Sequence, residues 1–197
     1  ALSILKLVLS GRPVPLYYGN SIHVGSEYST FKFQFSLIND QKPAINCNIF
    51  YGFSLKKGIN SQNETNIESD EPSYRSVLFN EKLSYSYERA DEKLRLSTLI
   101  DTSLGEIFSP KAKFEVLVGK EKSTAMDLLV EKKLASITSR SFIFSKELLN
   151  TIRKQYQAQS QNQELSRHVF VLENMVNYGN YDLFVINTSD SGLISLD

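Results

Sequence analysis

Two stretches of this chain alternate large apolar residues with smaller or polar ones, and they constrain the fold more than anything else in it. In "TFKFQFSLIND", residues 30–40, Phe31, Phe33, Phe35 and Leu37 hold every second position, with Lys32, Gln34 and Ser36 between them. In "AINCNIFYGFSL", residues 44–55, Ile45, Cys47, Ile49, Tyr51, Phe53 and Leu55 repeat the pattern. A period of two places one set of side chains on each face of a strand, so each stretch reads as a strand with one buried face. Asn39, Asp40 and Pro43 supply turn chemistry between them. Together they read as a long β-hairpin with a loop of about five residues. The phenylalanine stripe is expected in the core, beside the Ile, Tyr and Phe residues of the second run. Phe50 falls on the opposite face.

Further strand patterns are read at 76–87, with Val77, Phe79, Leu83, Tyr85 and Tyr87 in phase, and at 93–100, with Leu94, Leu96 and Ile100. "KAKFEVLVG" (Phe114, Val116, Val118), "ITSRSFIFS", "RHVFVLENM" and "YDLFVIN" also read as strands, and so does the opening "ALSILKLVLS". Two segments carry helical spacing: "STAMDLLVEKKL", with Met126, Leu129, Val130 and Leu134, and the run after Ser145, with Leu148, Leu149, Ile152 and Tyr156 on one stripe. Ser145 is placed to cap the second helix. The glutamine-rich stretch from Gln155 to Ser166 has no apolar face and is expected to project into solvent. The polar, acidic stretch at 56–73 reads as a long mobile loop.

The expected fold class is mainly β or α+β, an antiparallel β-sandwich-like domain with two helices toward the C-terminus. The 197 residues fit a single domain. Within it, a β-rich body spans 1–122 and an α+β appendix spans 123–197.

Composition excludes several functions. Lys and Arg total 22 and Asp and Glu total 22, for a net charge of zero. A dedicated nucleic-acid binder usually carries a basic excess, so nucleic acid is not an expected partner. A single cysteine permits no internal disulfide, which points to an intracellular home, cytoplasmic or nuclear. No apolar run approaches the roughly 18 residues of a membrane-spanning helix. Metal and cofactor sites are not expected. The two histidines, His23 and His168, stand far apart in sequence with one cysteine, and no nucleophile elbow of the form G-x-S-x-G is present. Cys47 shares its phase with Ile45, Ile49 and Tyr51 and reads as a small core residue.

One local pattern resembles part of a phosphate-binding loop. In "KFEVLVGKEKSTAMDLL" an expected strand leads through Gly119, Lys120, Lys122, Ser123 and Thr124 into an expected helix, whose N-terminus favours anions. The first glycine of the Walker motif is missing and Glu121 follows Gly119-Lys120, so nucleotide hydrolysis is not implied. The expected function is a non-catalytic protein–protein interaction module, a subunit or domain of a larger intracellular complex. Its partner is another protein, and Tyr17, Tyr18 and Phe50 are the candidate contacts, large rings out of phase with the core. The alternatives are a self-assembling viral or surface structural protein and a weak anion-binding domain at 119–124.

Overall fold

A computed structural model describes residues 1–19, 22, 25–39, 45–59, 74–90, 92–103, 110–120 and 139–185. Four strands form one antiparallel meander in the order β1-β2-β3-β4: β1 Tyr28–Asn39, β2 Ile45–Ile59, β3 Tyr74–Arg89 and β4 Glu92–Asp101. The hairpin expected from the two alternating runs is present. β1 and β2 pair without interruption from Tyr28 opposite Lys56 to Asn39 opposite Ile45. The strands at 76–87 and 93–100 are β3 and β4. Of the stretch expected as a loop at 56–73, Lys56 to Ile59 belong to β2, and the rest lies outside the described residues.

The helices are α1 Leu2–Leu9, α2 Leu16–Gly19, α3 Lys111–Val118, α4 Lys146–Ala158 and α5 Gln163–Asn177, followed by a π-helical turn at Tyr178–Asp182. Among the described residues there is one sheet, and the layer packed on it is helical. The second sheet that a sandwich needs is not among them, and the architecture is mixed α+β. The helix expected at 123–134 lies outside the described residues.

Several expected strands are helices, and the reason is local. In α1 the buried residues are Ile4, Leu5, Val8 and Leu9, a helical stripe in a segment so apolar that alternation is uninformative. In α3 the alternating Phe114, Val116 and Val118 conceal the true spacing, in which Phe114, Leu117 and Val118 are buried at i, i+3 and i+4. α5 replaces the strand expected at "RHVFVLENM". Its buried residues are Leu165, His168, Val171, Leu172 and Met175, and the Asn162 side chain caps it by accepting from the Leu165 amide at 3.1 Å. Residues 141–144 turn rather than extend, and Tyr178–Asp182 continues α5 as a π turn in place of the start of a strand. The glutamine-rich stretch closes α4 at Ala158 and opens α5 at Gln163. α4 is capped as expected, with the Ser145 hydroxyl accepting from the Leu148 amide.

One core joins both ends of the chain, from Ile4 and Leu5 through Tyr51, Phe53, Leu83 and Tyr85 to Leu165 and Met175. Ile49, Tyr51, Phe53 and Leu55 are buried on the inner face of β2, as the alternation predicts, and Cys47 lies with them. Burial pushes the Cys47 thiol up to about 12, which keeps it protonated and unreactive. Phe31, Phe33, Phe35 and Leu37 pack against this core but stay half-buried, because β1 is an edge of the sheet. Phe31 and Phe33 stack on Phe53 at ring separations of 5.2 and 6.2 Å. α1 docks on the π turn at Gly179, where an added Cβ would stand 2.5 Å from that of Leu9, so no larger residue fits.

Candidate functional site

The sheet has two unlike faces, and the difference begins with a bulge. Gly52 pairs with Lys82 and Ser54 with Phe79, so Asn80 and Glu81 together oppose Phe53. Asn80 takes the left-handed conformation, with φ at 52°, which asparagine tolerates better than most residues. Glu81 keeps the phase of the buried Leu83 and Tyr85, so its side chain reaches the inner face, and the extra residue puts Phe79 on the outer face, against Tyr28 and Lys56.

There the buried Glu81 carboxylate accepts from the Tyr51 hydroxyl at 2.7 Å, the Ser141 hydroxyl at 2.5 Å and the Phe142 amide at 2.6 Å. Burial pushes its pKa up, and these donors pull against that shift. The Glu81 backbone also exchanges hydrogen bonds with Thr102, so one residue ties β3 to the end of β4 and to the 141–144 turn. Further along, the Tyr85 hydroxyl meets His168 Nδ1 of α5 at 2.7 Å, and His168 Nε2 stands 3.5 Å from Glu164. Burial first, then the nearby Lys113 and Arg167, pull the His168 pKa down to about 3. The imidazole is therefore neutral, with Nδ1 accepting from Tyr85. Tyr85 and His168 are both buried, and the pair braces β3 against α5.

The outer face is built differently. Its hydroxyls pair across the strands: Thr30 with Ser54 at 3.2 Å, and Ser84 with Thr98 at 3.1 Å. Lys82 pairs with Asp101 at 2.7 Å, and Asp101 also accepts from the Ser103 amide and hydroxyl. Burial alone would raise the Asp101 pKa, but these hydrogen bonds outweigh it and hold the carboxyl below its ordinary value. Gly52, Ser54 and Ser84 bring little bulk, and over them lies a concavity of about 600 Å³. Phe50, Leu96, Lys32 and Lys82 line it, and Leu96 is 61% exposed. The described helices all lie on the other side of the sheet. The concavity holds apolar contact surface beside polar groups, several of which are already paired with one another.

The sequence-derived candidates separate in space. Phe50 sits in this concavity, on the face that its phase predicts. Tyr17 and Tyr18 lie on the short helix α2, with their rings 4.4 Å apart. Tyr17 is 60% exposed, while Tyr18 packs against the core from the inner side of the sheet. Gly119 follows the C-terminal end of a helix, α3, rather than a strand, with φ at 86° and the Gln155 side chain against it. Lys120 is helical again, and residues 121–138 lie outside the described residues. Lys122, Ser123 and Thr124 lie outside the described residues, as does His23. Leu96 escaped sequence reading because it shares the phase of the apolar residues of 93–100. The register shifts between β3 and β4, at Leu83/Ser84 and Tyr85/Tyr87, break that phase.

A second concavity, of about 850 Å³, lies between the end of β3 and helices α4 and α5, lined by Tyr87, Arg89, Tyr156, Arg167 and Phe170 among others. Its Arg167 donates to Tyr85, so this wall belongs to the internal brace. Among the described residues no group of three or more His, Cys, Asp or Glu side chains is placed to hold a metal ion. No described helix is long and apolar enough to cross a membrane. Comparison with protein family models, with curated proteins and with solved structures finds no match.

Proposed function

We propose that this chain is a non-catalytic protein–protein interaction module, a subunit or domain of a larger intracellular complex, and that it receives its partner on the outer face of the sheet around Phe50. The observation that carries this reading is the concavity over Gly52, Ser54 and Ser84, with Phe50 and Leu96 offering apolar surface beside it. Interfaces draw most of their energy from a few large side chains in such central depressions, surrounded by polar groups. Lys32 and the Lys82–Asp101 pair form that polar surround, and Lys32 favours a partner with an acidic residue flanking an apolar anchor. The test is a photoreactive phenylalanine analogue introduced at Leu96 in the native source. The reading expects one discrete cross-linked protein from position 96 and none from the same analogue at the exposed Lys154 of α4. Equal, diffuse labelling from both positions overturns it.

A further inference from the structure

The two edges of the sheet differ in a way that points to a second copy of this chain. β4 is blunted: it carries Lys93 and Arg95 with Glu92, and its pairing with β3 is broken by two register shifts. Charges and irregularities of this kind keep strand edges from pairing with other chains. β1 has none of these devices. It pairs with β2 over twelve consecutive positions without a shift, contains no proline, and carries a single charge, Lys32. Among the described residues nothing pairs with its other edge. Its inner-face residues, Phe31, Phe33, Phe35 and Leu37, remain half-buried although they adjoin the core.

We infer that β1 pairs antiparallel with β1 of a second copy, with Phe33 on the two-fold axis, so that two sheets join into one of eight strands. The stripe is complementary to itself. With Phe33 opposite Phe33 of the copy, Phe31 of each chain faces Phe35 of the other, and aromatic cross-strand pairs are favourable. Charge narrows the register further. Centring on Lys32 would oppose two lysines, whereas centring on Phe33 puts Lys32 opposite the uncharged Gln34 and Thr30 opposite Ser36. A notch of about 150 Å³ lies beside the edge, lined by Phe35, Leu37, Met175 and Tyr178, and the Phe31 ring of the copy comes to rest against it. Zero net charge means that two copies do not repel as wholes. This interface uses the edge of the sheet, not the face around Phe50, and stands independently of the proposed function.

Gln34 is exposed, so charge can be placed there without disturbing the core. In the dimer Gln34→Lys opposes Lys32 of the copy twice, and Gln34→Glu meets it twice with the opposite sign. Sedimentation equilibrium over a concentration series should find the unaltered chain dimeric. Gln34→Lys should weaken the dimer roughly 2- to 30-fold and Gln34→Glu should tighten it by a similar factor, from the range for single cross-strand charge pairs. Phe50→Ala should leave the dimer unchanged, which separates this interface from the docking face. An unaltered chain that stays monomeric at about millimolar concentration, or two Gln34 variants that shift association in the same direction, overturns the inference.

Discussion

Phe50 and Phe53 lie three residues apart on β2, on opposite faces of one sheet, and they mark two kinds of surface. Around Phe53 the inner face is closed: Phe31, Phe33 and Tyr51 surround its ring, Tyr51 meets Phe144 at 5.3 Å, and the Tyr51 hydroxyl donates to the buried Glu81. Around Phe50 the outer face is open, floored by Gly52, Ser54 and Ser84 and bordered by lysines. A sheet has two faces whatever its sequence. Covering one with helices leaves the other to be solvated or to be used. Here it is neither uniformly polar nor flat, and this sets the outer face apart from a merely solvated one.

The contrast can be broken first where it is strongest. Truncating Phe53 to Ala removes a fully buried ring and should cost about 3–5 kcal/mol in urea unfolding. A cost below about 1 kcal/mol would mean that the inner face is not the packed one. Next comes acid. His168 has a folded pKa of about 3 against an ordinary 6.5, so its neutral form favours the fold. That contribution is fully present above pH 6.5 and is lost as pH falls toward 3, by an amount on the order of 5 kcal/mol at full protonation. Glu81 acts in the opposite sense, because its raised pKa favours the fold at low pH and that contribution fades as pH rises through the folded value. The groups facing His168 are Tyr85, Glu164, Lys113 and Arg167. Measuring unfolding free energy from pH 7 to pH 3 should give an acid limb that flattens in His168→Gln, and an identical limb in both chains would contradict the brace.

A smaller effect tests the bulge. Glu81→Ala strands the Tyr51 hydroxyl, the Ser141 hydroxyl and the Phe142 amide, and should cost about 2–4 kcal/mol. Glu81→Gln keeps a carbonyl acceptor and should recover part of that. Equal losses in the two variants would show that the hydrogen bonds are not what matters there.

How much of this was legible depended on how far each segment had to reach. The β1–β2 hairpin was readable because its alternation is strict and its partner is adjacent in sequence. The inner and outer assignment of Phe53 and Phe50 came from phase alone. Helices α1, α3 and α5 were hidden because their apolar residues are dense enough to satisfy a period of two as well as 3.6. The signals that separate the readings were Leu117 beside Val118 in α3 and the Asn162 cap of α5. The concavity was legible only in part. Phe50 had the right phase, but Leu96 and the bent floor depend on bulges that no local pattern marks. The Glu81 and His168 contacts span |i−j| of 60 and 83 residues and leave no local trace.

The most direct measurement of the division between the faces compares Phe50→Ala with the unaltered chain in two readouts, urea unfolding and capture of the protein cross-linked through position 96. The account predicts a stability loss of at most about 1 kcal/mol, because the ring is only partly buried, together with loss of the captured partner. A loss as large as that of Phe53→Ala, with the partner still bound, would contradict it.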